Sequence, residues 1–183
     1  MICRTENIKI VRPIAANISE YNRIVPYIEE AERLDVMPYI GVSLYKQLDE
    51  IKPPHIPYFI NDIGGRVDIS KKILYHILCG GYYTDNCGVE QWHGGLIKAI
   101  SYLAYARCIM QHQVNVTAFG VVFKESQFSE PIDEKTLIRA ARTAEKTGLE
   151  FLRQVREYLK YLGLLDCGVK NPRRKNKFSL LGN

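Results

Sequence analysis

Along the last third of the chain, apolar and small residues recur at gaps of three and four: Leu137, Ala141, Ala144, Gly148, Leu152, Val155, Leu159 and Leu162. That spacing draws one stripe down a helix and predicts a long helix over about Glu134–Leu162. Asp133 is suited to cap its start, with Ile132 and Leu137 placed to form a hydrophobic staple. Ala141, Ala144 and Gly148 make the first half of the stripe thin, which lets another backbone approach closely. The opposite face (Arg142, Glu145, Lys146, Arg153, Glu157) is of mixed charge and predicts a solvated surface. From about Gly95 to His112 the pattern changes, because Leu96, Ala99, Ile100, Leu103, Ala104, Ala106, Ile109 and Met110 surround most of the circumference. A helix apolar nearly all round is a buried one, so this helix should be central, with Tyr102, Tyr105 and Arg107 as its polar-tipped remainder.

Upstream signals are shorter. Ser19 can cap a helix running through Glu29, Glu30 and Glu32, with Ile24, Tyr27, Ile28, Ala31 and Leu34 as its inner face; Pro26 either kinks it or opens its regular part. Met37-Pro38 and Gly41 should break the chain, after which Ser43 can cap a short helix to Ile51. "KPPHIPYF" (Lys52–Phe59) is a proline-rich surface connection. Asp68 caps a further helix, Ile69–Cys79, which Gly80-Gly81 ends. "YYTDNCGVEQW" (Tyr82–Trp92) has the aromatic, β-propensive composition of a hairpin turning at Asn86-Cys87-Gly88. No internal repeat is present. The expected fold is mainly α: a helical bundle of about five helices, a small β-hairpin at about 82–92, and an extended β-like loop at about 114–129.

That loop is the unusual feature. "VNVTAFGVVFKESQFSEPIDEKT" (Val114–Thr136) joins the two long helices, whereas connections in compact domains usually take about four to six residues. Extended apolar backbone on a helical body has to find partners for its N–H and C=O groups. It can form its own hairpin, add strands to a neighbour's edge, or fold over its own core with Phe119, Phe123 and Phe128 as plugs. Phe119-Gly120 would allow a turn, and Lys124, Glu125 and Gln127 would form a wet rim.

Composition narrows the classes. A chain of 183 residues fits one domain with arms and can bury a core without staples. The start, Met1-Ile2-Cys3-Arg4-Thr5-Glu6, has no secretory pattern, and Arg107 interrupts the best apolar run, so a soluble protein made in a cytoplasm is expected. Five cysteines (Cys3, Cys79, Cys87, Cys108, Cys167) without a C-x-x-C pair predict reduced thiols. The net charge of +5 arises in the tail: Lys170, Arg173, Arg174, Lys175 and Lys177 follow the last acid, Asp166, and residues 1–166 are neutral. The chain therefore divides into a helical domain, 1–166, and a basic tail, 167–183. The tail also ends in an apolar hook, Phe178, Leu180 and Leu181. It can be a disordered solubilising extension, a diffuse binder of nucleic acid, or an arm that orders on a partner.

Catalytic signatures are missing. No phosphate loop, dinucleotide fingerprint, nucleophile elbow or H-E-x-x-H occurs, and Gly64-Gly65 and Gly94-Gly95 lack the flanking pattern of a phosphate loop. Cys108 and His112 stand at metal-ligand spacing, with Cys87 and His93 as conceivable partners, but a buried thiol and a histidine at a helix C-terminus explain them equally. Glu29-Glu30, Asp49-Glu50 and Asp133-Glu134 are sequence neighbours and point in different directions on a helix, so none is a facing acid/base pair. No catalytic residue, cofactor or metal is expected.

Two stretches carry a resemblance. "YLAYARCIMQHQVNVTAFGVVFKESQFSEPID" (Tyr102–Asp133) resembles the neck proteins of tailed phages of Bacteroides-type hosts, including the crAss-like group. "YIEEAERLDVMPYIGVSLYKQL" (Tyr27–Leu48) resembles their N-terminal part, and the likeness runs over about Ile18–Leu162. It implies a structural head–tail connector, or adaptor, in the virion neck below the portal vertex: a homo-oligomeric ring (a dodecamer) that continues the DNA channel and docks other neck and tail proteins. The implied partners are further copies of the chain, the portal protein, other neck or tail proteins, and passing DNA bound without sequence specificity; no membrane is involved. In such a ring Val114, Val116, Phe119, Val121, Phe123 and Phe128 would make intersubunit or portal contacts. The tail residues Lys170, Arg173, Arg174, Lys175, Lys177, Phe178, Leu180 and Leu181 lie where nothing carries over from the resemblance. Their expected role, a docking arm, rests on physics alone, and nucleic-acid binding through the same tail is the alternative.

Overall fold

The computed structural model describes residues 1–11, 21–51, 69–112, 114–117, 120–123 and 134–165. The N-cap residues Ser19, Asp68 and Asp133 and the staple residue Ile132 lie outside them. The elements in order are α1 (Thr5–Val11), α2 (Tyr21–Glu30), a π-helical turn (Ala31–Val36), α3 (Met37–Ile40), α4 (Val42–Glu50), α5 (Ile69–Cys79), β1 (Gly81–Thr84), β2 (Glu90–His93), α6 (Leu96–His112), β3 (Val114–Thr117), β4 (Gly120–Phe123) and α7 (Glu134–Tyr161). The fold is a mainly helical bundle bearing two small antiparallel hairpins, β1–β2 and β3–β4.

α6 is the centre of this body. Leu96, Ala99, Ile100, Leu103 and Ala104 are buried, and α1, α2, the π turn, α5 and α7 all pack against it. Met110, near its end, is exposed. Arg107 bonds Asp35 at 2.5 Å and lies 3.6 Å from Glu30, tying α6 to the upstream helices. Its most extensive neighbour is α7, whose predicted stripe is the buried one: Ala141, Ala144, Leu152, Val155 and Leu159 face the core. The thin half serves close approach. A Cβ on Gly148 would stand 2.8 Å from Leu103 Cγ and 3.1 Å from the Ala99 carbonyl oxygen.

The N-terminal half departs from its pattern in one informative way. The helix does not break at Met37-Pro38; it continues through a π turn, in which the Met37 N–H reaches the Glu32 carbonyl, and stops at Gly41. The wider turn immediately upstream accommodates the Pro38 ring. It also spends an extra residue per turn, which rotates everything after Ala31. Leu34, expected on the inner face, is 65% exposed, while Glu32, not among the inner-face residues expected, is 1% exposed. The inner face runs Ile24, Ile28, Ala31, Val36 and Ile40. Ser43 is a second correction: Gly41 occupies the N-cap position of α4 without a side-chain cap, and Ser43 lies inside the helix.

Buried Glu32 has a full set of partners. Its Oε1 accepts the backbone N–H groups of Ile2 (2.8 Å) and Cys3 (2.7 Å), and its Oε2 accepts the Tyr45 hydroxyl at 2.6 Å. Burial raises its pKa, and these hydrogen bonds work against the rise. The carboxylate thereby docks the segment leading into α1, a short helix that hydrophobic periodicity did not predict. Ile2, Cys3 and Ile8 enter the core behind it. Cys3 lies 3.3 Å from Ser101 Oγ, and burial pushes its thiol up to about 12, so it is inert at neutral pH.

Two stability outcomes follow from these contacts. Gly148→Leu should lower stability by about 1–3 kcal/mol through overpacking against Leu103, read as a lower urea midpoint at unchanged slope. Glu32→Ala strands two buried N–H groups and should cost about 2–5 kcal/mol, whereas Glu32→Gln keeps an acceptor in place and should cost markedly less. Equal losses in the two Glu32 variants would show that the acceptor is not what matters.

Candidate functional site

The apolar connection between the long helices begins as its own hairpin. β3 and β4 pair antiparallel in the register Val114↔Phe123, Asn115↔Val122, Val116↔Val121 and Thr117↔Gly120. Because side chains alternate with period two, Val114, Val116, Val121 and Phe123 belong to one face of the ribbon. Four of the six predicted contact residues are thus brought together by register. Phe119 and Phe128 lie outside the described residues, as do Lys124–Pro131 and the tail with Lys170, Arg173, Arg174, Lys175, Lys177, Phe178, Leu180 and Leu181. Among the described residues each of the two strands pairs only with the other. A two-stranded ribbon by itself is marginal in water, so among the described residues this ribbon is one that further packing would stabilise.

The second hairpin, β1–β2, has the register Gly81↔His93, Tyr82↔Trp92, Tyr83↔Gln91 and Thr84↔Glu90. Its turn is organised by Asp85, whose Oδ1 accepts the N–H groups of Cys87 and Val89, both at 2.9 Å. These bonds hold the Asp85 carboxyl below its ordinary range. At the other end, two glycine corners touch. A Cβ on Gly80 would lie 2.5 Å from the Gly94 carbonyl carbon, one on Gly95 2.5 Å from the Gly80 nitrogen, and both residues have positive φ (85° and 80°). The Gly94-Gly95 pair, featureless in sequence, therefore joins the exits of α5 and β2.

The inward face of β1–β2 rests on an aromatic cluster that sequence reasoning did not find. His93 is fully buried, its ring stacked on Tyr158 of α7 at 4.4 Å between centroids. His93 Nε2 meets His76 Nδ1 of α5 at 3.1 Å, and Tyr83 packs on both Tyr158 and Tyr161. His93 Nδ1 is buried without a hydrogen-bond partner, so a proton there would have no acceptor. Burial, and then the neighbouring His76, lower the His93 pKa to about 3; burial also lowers that of His76, opposed by its bond to the Tyr82 backbone. The available signal was weak: one histidine in an aromatic strand and another inside an apolar helix.

The residues at metal-like spacing are separated. Cys87 is exposed in the β1–β2 turn, His93 is buried beneath that hairpin, and Cys108 is buried on α6 with its thiol pushed up by burial. Among the described residues no three of His, Cys, Asp or Glu converge as a metal set. Of the adjacent carboxylates, Glu29 lies 3.9 Å from Arg33, Glu30 meets Arg107, and Asp49 pairs with the Met1 amino group. No helix among the described residues is long and apolar enough to cross a membrane.

A family model described as a family of unknown function (DUF6712) matches residues 67–161, just over half of the chain. No curated protein and no solved structure matches. The matched span takes in α5, both hairpins, α6 and α7.

The buried histidines predict an acid-labile hairpin. The unfolded chain protonates His93 near pH 6.5, whereas the folded chain does so near pH 3. Stability is therefore full above about pH 6.5 and falls as pH drops below it, by up to about 1.4 kcal/mol per pH unit for this residue. His93→Phe should remove about one proton's worth of slope between pH 6.5 and 5 in urea midpoints; identical slopes would contradict the assignment.

Proposed function

The chain belongs to DUF6712, a family of unknown function, and we propose that it is a non-enzymatic assembly protein, a ring-forming connector of a tailed-phage neck between portal and tail. The observation that carries this reading is the β3–β4 ribbon: a hairpin with Val114, Val116, Val121 and Phe123 on one face, set directly after the buried helix α6. Such a ribbon gains most when its apolar face and edges are completed by another chain. A head-to-tail ring supplies that completion at every subunit, because each interface joins two different patches and closes by symmetry. The likeness of Tyr102–Asp133 and Tyr27–Leu48 to phage neck proteins supports the same conclusion. In this reading the helical body is the rigid wall of a DNA channel, the ribbon contacts a neighbour or the portal, and the basic tail with its Phe178/Leu180/Leu181 hook is a docking arm.

Light scattering of the chain alone and mixed with its phage's portal protein tests this. A ring, or a complex with the portal, is expected. Phe123→Asp should leave thermal unfolding unchanged while abolishing assembly. A monomer that ignores the portal but stays on DNA at moderate salt, and is released by deleting Lys170–Asn183, would replace this reading with nucleic-acid binding through the tail.

A further inference from the structure

The solvent side of α7 changes character halfway along. At about 100° per residue, Lys135, Arg139, Arg142 and Lys146 fall within about 60° of one another, on the side away from buried Ala141, Ala144, Leu152 and Val155. All four are exposed. The rest of that side is Thr136, Ala140, Thr143 and Thr147, and it carries no acid; Glu145 stands about 90° round from the centre of the stripe. Among the described residues none of the four is in an ion pair. Beyond Gly148 the charges are matched instead, Arg153 with Glu150 and Lys160 with Glu157, both at 2.7 Å. The solvated face of mixed charge is therefore two faces end to end, one basic and one self-neutralised.

The basic half weakens its own helix. Lys135–Arg139 and Arg142–Lys146 are i,i+4 neighbours and Arg139–Arg142 are i,i+3, so three like-charged pairs repel in succession. Lys135 also stands in the first turn, where the helix dipole disfavours a cation. A polyanion laid along the stripe removes that repulsion. The composition of the face selects which one. A protein interface is built around large apolar residues and is poor in Lys, and this face has no large apolar residue. Single strands are held by stacking on aromatic rings, and it has none of those either. Its Asn and Gln count is zero, and Thr143 and Thr147 donate their hydroxyls to the carbonyls of Arg139 (2.8 Å) and Thr143 (2.9 Å), so base edges would go unread. Charge alone remains, over a length of about 16 Å, which matches about five successive phosphates of one strand of a duplex.

We propose that Lys135, Arg139, Arg142 and Lys146 form a contact for the phosphate backbone of duplex DNA, separate from the basic tail. The contact belongs to the single subunit and does not rest on the connector reading. Four phosphate contacts make a weak attachment that salt erodes, one that holds a duplex near the body without fixing its position along it. The test uses the full-length chain with Lys170→Gln, Arg173→Gln, Arg174→Gln, Lys175→Gln and Lys177→Gln, which brings the 25 basic residues level with the 20 acidic ones and removes net attraction. Anisotropy of a labelled duplex is followed from about 25 to about 200 mM salt. Log affinity should fall against log salt with a slope of about −3.6, the same for duplexes of unrelated sequence. Arg142→Gln should flatten the slope by about 0.9, and Arg142→Lys should preserve it. Replacing all four by Gln should abolish binding without lowering the unfolding temperature, since repulsion is removed. Arg153→Gln, at the paired end of the same helix, should leave the slope intact. No measurable binding, a slope unmoved by the fourfold change, or one flattened as much by Arg153→Gln as by Arg142→Gln overturns the stripe. Polyglutamate displacing the duplex at equal charge overturns DNA as its occupant in favour of an acidic protein surface. A subunit that keeps this slope but forms neither ring nor portal complex would count against the connector reading alone.

Discussion

A helix apolar around most of its circumference has to be surrounded, and α6 is that helix. Its burial by α1, α2, the π turn, α5 and α7 organises the body, because each of those elements is amphipathic or small on the side it turns inward. The tightest of these contacts, at Gly148, is available only because α7 carries no Cβ where Leu103 and the Ala99 carbonyl come closest. The two hairpins are consequences of the same constraint. β1–β2 ends as α6 begins and β3–β4 starts as α6 ends, so both ribbons are placed by one buried strut of 17 residues, about 25 Å long.

How much of this was legible depended on whether a signal was periodic or paired. α5, α6 and α7 were readable to within a residue, since sustained apolar spacing and glycine stops are local information. The β1–β2 hairpin was readable from its aromatic strands and its Asn86-Cys87-Gly88 turn. The inner face beyond Ala31 was not, because a π turn changes the period midway and no residue type announces it. Glu32 is the reason the altered phase holds: three donors separated from it by 13 to 30 positions converge on one carboxylate, and such a meeting leaves no trace in local pattern. α1 was missed for a similar cause: it packs on α6 and α2 behind the segment that Glu32 docks, and none of these contacts is local.

The candidate surfaces divide along the same line. Alternation in Val114–Phe123 already implied which residues share a face, and pairing β3 with β4 supplies the register. The histidine cluster beneath β1–β2 could not be read, because His76, His93 and Tyr158 are assembled from three elements. It has a physical consequence for the hairpin above it. The ribbon is clamped from below by neutral, fully packed rings and from its base by glycine corners that admit no side chain. The outer face carries Tyr82 and Trp92, opposed in the register, above that packed base.

Charge distribution bears on what the body and tail can each do. Residues 1–166 are electrically neutral, and the excess of five positive charges lies wholly beyond Asp166. In the proposed connector, neutrality would serve a wall lining a path for moving DNA, since each phosphate contact adds affinity through counterion release and strong affinity would retard passage. In the same connector, a short basic segment tipped with Phe178, Leu180 and Leu181 would suit the opposite task, a lasting contact in which charge would draw it to an acidic surface and the apolar residues would anchor it.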